Sequence, residues 1–343
     1  VTGRVIDAAT GLALSGAFVS AASNPNNPVS TDANGRFTLV GLTSGDDITV
    51  TRSSYAAVTQ YNLRVVPADV VELPDIPMTL SGSAGTVYGV AVNALTDAVV
   101  AGATVKLFAN IEPRSSDPAN GVTSPAPVAT TVTDATGSFA FASVPAGTYT
   151  IAVGAAGYAL ARVTTASVAN ASMVSRIALS PSFAGAGLRA VLTWGDCQAS
   201  PAVPCDLDAH LTGPAVAPDT GRFHVAFFQR SYTAAGVPVA KLDNDAQTGV
   251  GPETVTLKAT VTGAYKFYVH DATTGYDSTS TRLSASPRAR VDVYSGTTLV
   301  ATFFPPSGGA GTVWAVFEFD GTSLIPIGQM IRVQDFTKVG ADF

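Results

Sequence analysis

The chain has 343 residues, of which only 13% are charged, and a formal net charge of -6. That balance, with no Lys/Arg cluster anywhere, argues against a nucleic-acid partner, whose binders carry a basic patch or stripe. No apolar run approaches the roughly 20 residues that cross a bilayer, so the chain is expected to be soluble, without a membrane span.

The length exceeds that of one usual domain, and two or three compact units are expected. Gly (32 residues) and Pro (21 residues) recur at short intervals among Ala, Thr, Ser and Val. This composition suits short strands joined by turns and gives helices little to work with. The chain opens directly on the strand-like VTGRVID with no initiator Met or signal sequence, which reads as a mature, processed polypeptide or a trimmed chain.

Two related segments occupy the first half. VTGRVID, GAFVSAAS, STDANGRFTLVGL and DITVTRSSYAAV are echoed by GTVYGVAV, GATVKLFA and VTDATGSFAFASVPAGTYTIAVGAAGYAL. Thr31-Asp32 matches Thr133-Asp134, Gly35 matches Gly137, Phe37 matches Phe139 and Tyr55 matches Tyr158. Apolar and polar residues alternate in each copy, the period of a strand with one buried face. Gly35 and Gly137 stand where a tight hairpin needs a positive φ. Each repeat is therefore expected to be a small antiparallel sandwich.

The order of strand, Gly-Ala-x-Val strand, Thr-Asp-x-x-Gly-x-Phe turn, Gly-x-Tyr-x-Ile strand and later Gly-Tyr resembles the carboxypeptidase regulatory-like domain, a transthyretin-like seven-stranded sandwich. The first copy departs from it with Gly-Asp-Asp-Ile in place of Gly-x-Tyr and with Ser54-Tyr55 in place of Gly-Tyr. The resemblance implies two such domains, 1–80 and 86–181, and extracellular β-scaffolding rather than chemistry. It does not imply a peptidase, because the zinc-binding catalytic domain of a carboxypeptidase is missing from the sequence.

Beyond Pro181, SFAGAG reads as a linker, and from Leu188 to Phe319 short strands recur at sandwich spacing: LRAVLTWG, DLDAHL, FHVAFF, TVTLKATV, YKFYVHD, RVDVYSG, LVATFFP and TVWAVFEFDG. Their combination resembles an uncharacterised bacterial surface domain, which implies a fold and a location but no activity. The expected architecture is all-β, with three sandwiches in series. The third covers 187–322, and an extended C-terminal segment covers 323–343. Cys197 and Cys205 close a short loop with two prolines; their spacing and the absence of other cysteines favour a disulfide over free thiols, hence an oxidising compartment and secretion.

In CDLDAHL a period of two puts Leu207, Ala209 and Leu211 on the core face and Asp206, Asp208 and His210 on the other. Asp243, Asn244, Asp245 and Glu253 lie around the small-residue loop LDNDAQTGVGPETVTL, and His270 with Asp271 ends YKFYVHD. A Gly-rich loop with Asp, Asn and Glu can supply several of the six to eight oxygens that calcium takes. The EF-hand pattern is not met, since Thr248 stands where its Gly belongs and Glu253 falls one place early. Three readings remain open: calcium bound by Asp206, Asp208, Asp243, Asp245 and Glu253; a solvated acidic turn; or a zinc or other transition-metal site using His210 and His270. His224, Trp194 and Trp314 read as packing residues.

No Gly-x-Ser-x-Gly elbow, no His-Glu-x-x-His and no phosphate-cradling loop followed by Lys is present. Asp208 and Glu253 form a conceivable carboxylate pair for sugar hydrolysis, but they serve better as ion ligands. The expected function is that of an extracellular non-catalytic structural protein, a subunit of a bacterial cell-surface filament or appendage assembled through β-strand pairing. The segment after Gly321 is the candidate donor strand, with completion of its own sheet as the other reading. The alternative is a secreted adhesin binding a glycan or a surface protein, with the insert 109–129 as its best candidate surface.

Overall fold

The computed structural model describes residues 1–63, 65, 71–82, 84–111, 126–167, 172–185, 187–195, 206–247, 249–258, 261–274, 277–286, 289–306 and 308–333. The expected Cys197–Cys205 disulfide, most of the 109–129 insert and the segment containing Phe336 lie outside the described residues. Among the described residues the only helical element is one 3-10 turn, Ala272–Thr274. The fold is all-β.

The first repeat contributes β1 (Thr2–Asp7), β2 (Phe18–Ala21), β3 (Asn24–Ser30), β4 (Arg36–Thr38), β5 (Ile48–Thr51), β6 (Val58–Gln60) and β7 (Ile76–Met78). The second contributes β8 (Ala84–Asn93), β9 (Thr104–Ala109), β10 (Ala129–Val132), β11 (Ser138–Pro145), β12 (Gly147–Gly154), β13 (Ala161–Ser167) and β14 (Ser172–Leu179). Sheets β4-β1-β7 and β3-β2-β5-β6 in the first are matched by β11-β8-β14 and β10-β9-β12-β13 in the second. The inward residues of alternation make the cores: Val5, Val19, Phe37, Ile48, Ile76 and Met78 in the first, with Val87, Val105, Leu107, Phe139 and Ile151 buried in the second.

Two expectations change. β1 and β7 run parallel, because residue alternation fixes which face is buried but not strand direction. The Asp-x-x-Gly turns do not close hairpins, since β3 and β4, like β10 and β11, belong to different sheets. The positive φ is as expected, +71° at Gly35 and +72° at Gly137. The Asp32 carboxylate accepts from the N–H groups of Asn34 and Arg36, both at 2.8 Å, and Asp134 does the same for Thr136 and Ser138 at 2.8 and 2.9 Å. The Thr31 hydroxyl donates to the Leu14 carbonyl at 2.7 Å and accepts from the Ala17 N–H at 2.9 Å; Thr133 repeats this with Val100 at 2.8 Å and Ala103 at 2.9 Å. These hydroxyls pin each turn to the β1–β2 or β8–β9 connection, which makes it a crossing between layers.

Val1–Ala91, Val99–Ala156 and Ala161–Ile177 form one compact unit holding most of both repeats. Within it a parallel bridge joins Gln60 to Ile111. The Ile111 N–H donates to the Thr59 carbonyl at 3.0 Å and the Tyr61 N–H to the Ile111 carbonyl at 3.1 Å. The Asn110 side chain completes the seam, accepting from the Thr59 N–H at 3.1 Å and donating to the Tyr61 hydroxyl at 3.2 Å.

The second unit, Val92–Ala98, Gly157–Leu160 and Ala178–Phe343, holds the third sandwich. Its strands are β15 (Leu188–Thr193), β16 (Leu207–Pro214), β17 (Arg222–Val225), β18 (Ser231–Ala234), β19 (Val237–Asn244), β20 (Glu253–Leu257), β21 (Tyr265–Asp271), β22 (Arg290–Ser295), β23 (Thr298–Phe303), β24 (Val313–Phe319) and β25 (Leu324–Ile331). They form sheets β18-β19-β20-β15-β22-β23 and β17-β16-β21-β24-β25. Trp194 and Trp314 lie in the core between them, as expected.

The expectation of an extended donor segment after Gly321 is corrected. β25 pairs antiparallel with β24, from Val313↔Ile331 to Phe319↔Leu324. Leu324 and Met330 pack on the main core, and Ile327 and Ile331 on the cluster around Tyr268 and Val313. The strand's own domain thus takes up the hydrogen bonds of its inner edge and most of its apolar side chains, while Ile325 stays 46% exposed.

Candidate functional site

Along β16, Leu207, Ala209 and Leu211 enter the core as the alternation requires. The opposite face is not open to water: Asp208 is 7% exposed and His210 0%. The rings of Phe227 and Phe228 stand 6.5 and 6.3 Å from the His210 ring and help to cover it. Among the described residues β17 pairs only with Leu211–Pro214, which leaves that edge of β16 without a strand partner from Ala209 backward. Glu253, first residue of β20 in the facing sheet, fills that gap: its Oε2 accepts from the Ala209 N–H at 2.6 Å. The loop before it is drawn back by the Asn244 Nδ2–H group, which donates to the Pro252 carbonyl at 2.5 Å.

This folding gathers carboxylates. One ligand oxygen each from Asp208, Asp245 and Glu253 lie within 4.8 Å of one another, and Asp208 forms a second such group with ring nitrogens of His210 and His270. β16 and β21 place Asp208 directly opposite His270, whose Nδ1 is 3.3 Å from Asp208 Oδ2. Nδ1 of His210 meets Nε2 of His224 at 2.9 Å. Two cations approach from the rim: Arg230 at 3.8 Å from Asp245 and Lys241 at 3.3 Å from Asp243.

Of the five expected ligands, Asp208, Asp245 and Glu253 converge. Asp206 is coupled to them electrostatically, and Asp243 turns toward Lys241. Burial first, then the charges of Asp208, Asp245 and Asp271, push the Asp206 carboxyl up to about 6. Glu253 is raised well above the usual range, again by burial first and with Asp208 and Asp245 adding to it, against the opposing Ala209 N–H. Burial and the neighbouring His224 and His270 hold His210 well below the usual histidine range, so it is a neutral ring. Asp271 was not among the expected ligands; burial raises it too, opposed by Arg282 and Thr273. Its adjacency to His270 was visible in YKFYVHD, but its nearness to Asp206 depends on how β16 and β21 pair.

Glu253 is 1% exposed, its Oε1 meets no N–H or hydroxyl donor, and its carboxyl faces that of Asp245. Asp206 Oδ1 and His210 Nε2 are likewise buried without a hydrogen-bond partner. Chemically the three oxygens are a hard donor set, able to share a proton or hold a cation. Asp208 and Glu253 are enclosed in the sandwich rather than lining a cleft, an unfavourable setting for cleaving a sugar chain.

Similarity to solved structures is low throughout. The Bacillus anthracis TIE protein matches at 12% identity and a TM-score of 0.23 over 78% of this chain, which spans only 45% of that protein. A protein of unknown function, SAV2460, matches at 19% identity and a TM-score of 0.33, covering 45% of this chain and 94% of its own. The shaft pilin SpaA of Lactobacillus rhamnosus GG matches at 17% identity and a TM-score of 0.23, over 54% of this chain and 97% of the pilin. No curated protein sequence matches the chain. The carboxypeptidase regulatory-like domain matches twice, over residues 1–79 and 86–180. The chain belongs to the carboxypeptidase regulatory-like domain family, and its two copies are the duplicated sandwiches.

Proposed function

We propose that this is an extracellular, non-catalytic structural protein, a subunit of a cell-surface filament or appendage assembled by β-strand pairing. The observation that carries this reading is the seam at Thr59–Tyr61 and Asn110–Ile111, where backbone hydrogen bonds join one sandwich to the next within a single compact unit. A chain that couples its own repeats strand to strand already uses the contact that assembly between copies requires.

The edges differ in how well they could accept a further strand. β3 carries Pro25 and Pro28, and β25 carries Pro326, which remove N–H donors from those edges. β23 (TLVATF) ends its sheet with neither proline nor charge, and Val300 on it is 42% exposed. β23 is therefore the acceptor edge in this reading. Electron microscopy and light scattering at rising protein concentration test it, with Val300→Lys beside the unaltered chain. The expected result is assembly of the unaltered chain and a monomeric variant that melts at the same temperature. A chain that stays monomeric at high concentration and binds a glycan on an array would replace this reading with that of an adhesive module.

A further inference from the structure

We propose that the third sandwich holds a calcium ion between Asp208, Asp245 and Glu253, at the corner where β17 stops short and the β19–β20 loop folds over β16. This stands whether or not the chain polymerises. The three ligand oxygens lie within 4.8 Å of one another, close enough for one ion to touch all three. Crowded acids alone would not identify a site. The second observation is Glu253: the residue is 1% exposed, one carboxyl oxygen is satisfied by the Ala209 N–H, the other is buried with no N–H or hydroxyl donor, and the carboxyl faces that of Asp245.

Burying an ionised carboxylate without a partner costs several kcal/mol, a penalty that a divalent cation removes. Arg230 pairs with the group from the rim, 3.8 Å from Asp245 with a half-exposed side chain, and Glu253 Oε1 remains without a donor. The set contains only carboxylate oxygens, which favours a hard ion over zinc. The neighbouring histidines act behind it: His270 Nδ1 at 3.3 Å from Asp208 Oδ2 orients that carboxylate. Asp206, with its unpartnered buried Oδ1, stands next to the group as a further oxygen donor.

The full chain is suited to the test, because both of its tryptophans, Trp194 and Trp314, lie in the core of the third sandwich and their fluorescence reports that sandwich selectively. Calcium chloride and zinc chloride are titrated calorimetrically into chelator-treated protein, and tryptophan-detected melting is followed in EDTA and in calcium. Calcium is expected to bind and to raise the tryptophan-detected transition. Glu253→Gln and Asp245→Asn should each weaken calcium by about tenfold or more, since affinity follows ligand charge. Asp243→Asn, which removes a carboxylate engaged by Lys241, should leave the affinity unchanged. Glu253→Gln should also melt no earlier than the unaltered chain in EDTA, which separates loss of a ligand from misfolding. The proposal is overturned by no calcium binding up to about 10 mM, roughly ten times the weakest affinity of extracellular calcium modules. It is equally overturned if zinc binds and calcium does not, or if Asp243→Asn weakens calcium as much as Glu253→Gln.

Discussion

The duplicated sandwiches and the third sandwich treat buried polar groups in opposite ways. In the repeats the buried turn threonines and the Asp46 carboxylate are satisfied by neighbours, although the buried Thr79 hydroxyl is not. Thr31 and Thr133 each donate and accept, and the Asp46 carboxylate takes the Ser23 hydroxyl at 2.6 Å and the Ser23 N–H at 3.1 Å. Three carboxylates there are held below the usual range: Asp46 by Ser23 foremost, the exposed Asp134 by the Thr136 hydroxyl, and Asp7, despite its burial, by the Tyr55 hydroxyl and the Thr10 and Ala9 N–H groups. In the third sandwich Asp206, Glu253 and Asp271 are raised and each keeps a buried oxygen without a partner. A satisfied polar group fixes a fold; an unsatisfied one marks where something else is to be bound.

The strongest way to break the scaffold half is at its turns. A Cβ on Gly137 would stand 2.7 Å from the Ala91 carbonyl oxygen at a φ of +72°. Gly137→Ala combines a backbone clash with left-handed strain and should cost about 3 kcal/mol or more. Calorimetry should show the transition of the repeats falling while the tryptophan-detected transition of the third sandwich stays. Thr133→Val keeps the shape but leaves the Ala103 N–H and the Val100 carbonyl without that partner, and should cost about 2 kcal/mol by the same measurement. Glu253→Gln should differ in sign: without calcium, replacing a carboxyl whose ionisation burial opposes removes that penalty and leaves the third sandwich at least as stable.

The duplication was legible because each copy repeats its chemistry at fixed offsets. Tyr55 donates to Asp7 at 2.7 Å, and its counterpart Tyr158 accepts from Asn93, which stands at the Asp7 position, at 3.1 Å. Local alternation also placed Leu207, Ala209 and Leu211 in the core. What it could not give was the partner of each strand. The Asp-x-x-Gly turns carry hairpin chemistry in their four residues, yet the strands they join lie in separate sheets, a fact set by Thr31 and Thr133 reaching residues 17 and 33 positions away. The acidic site behaves alike. Asp208, Asp245 and Glu253 were visible as acids, but their convergence depends on β17 ending at Val225 and on β20 facing β16 from the other sheet. The same spacing told nothing of Asp243, whose Lys241 partner lies two residues away on one face of β19.

The smallest effect sharpens the contrast furthest, because pH should act oppositely on the hydrogen-bonded carboxylates of the repeats and on the buried acidic group of the third sandwich. In the repeats the depressed pKa values of Asp7, Asp46 and Asp134 add stability that is present above the ordinary carboxylate range and lost as pH falls through their lowered values. Glu253 has the reverse sign. Below the ordinary glutamate range folded and unfolded chains are both protonated; above it the unfolded chain ionises first, so stability declines until pH passes the raised folded value. Asp206 adds a like decline between 3.8 and about 6. His210 opposes on the acid side, since the unfolded ring protonates below 6.5 and the buried one does not, which costs stability as pH falls. In EDTA, from the ordinary glutamate value of 4.5 up to the raised folded value of Glu253, the Glu253, Asp206 and Asp271 carboxyls each pull stability down as pH rises, with His210 opposing them up to its ordinary value of 6.5. The tryptophan-detected melting temperature should fall over that window in EDTA and stay level in calcium, which takes the ionised carboxylates. Equal slopes in the two conditions would mean that Glu253 needs no cation, and the third sandwich would then differ from the repeats only in the price of its burial.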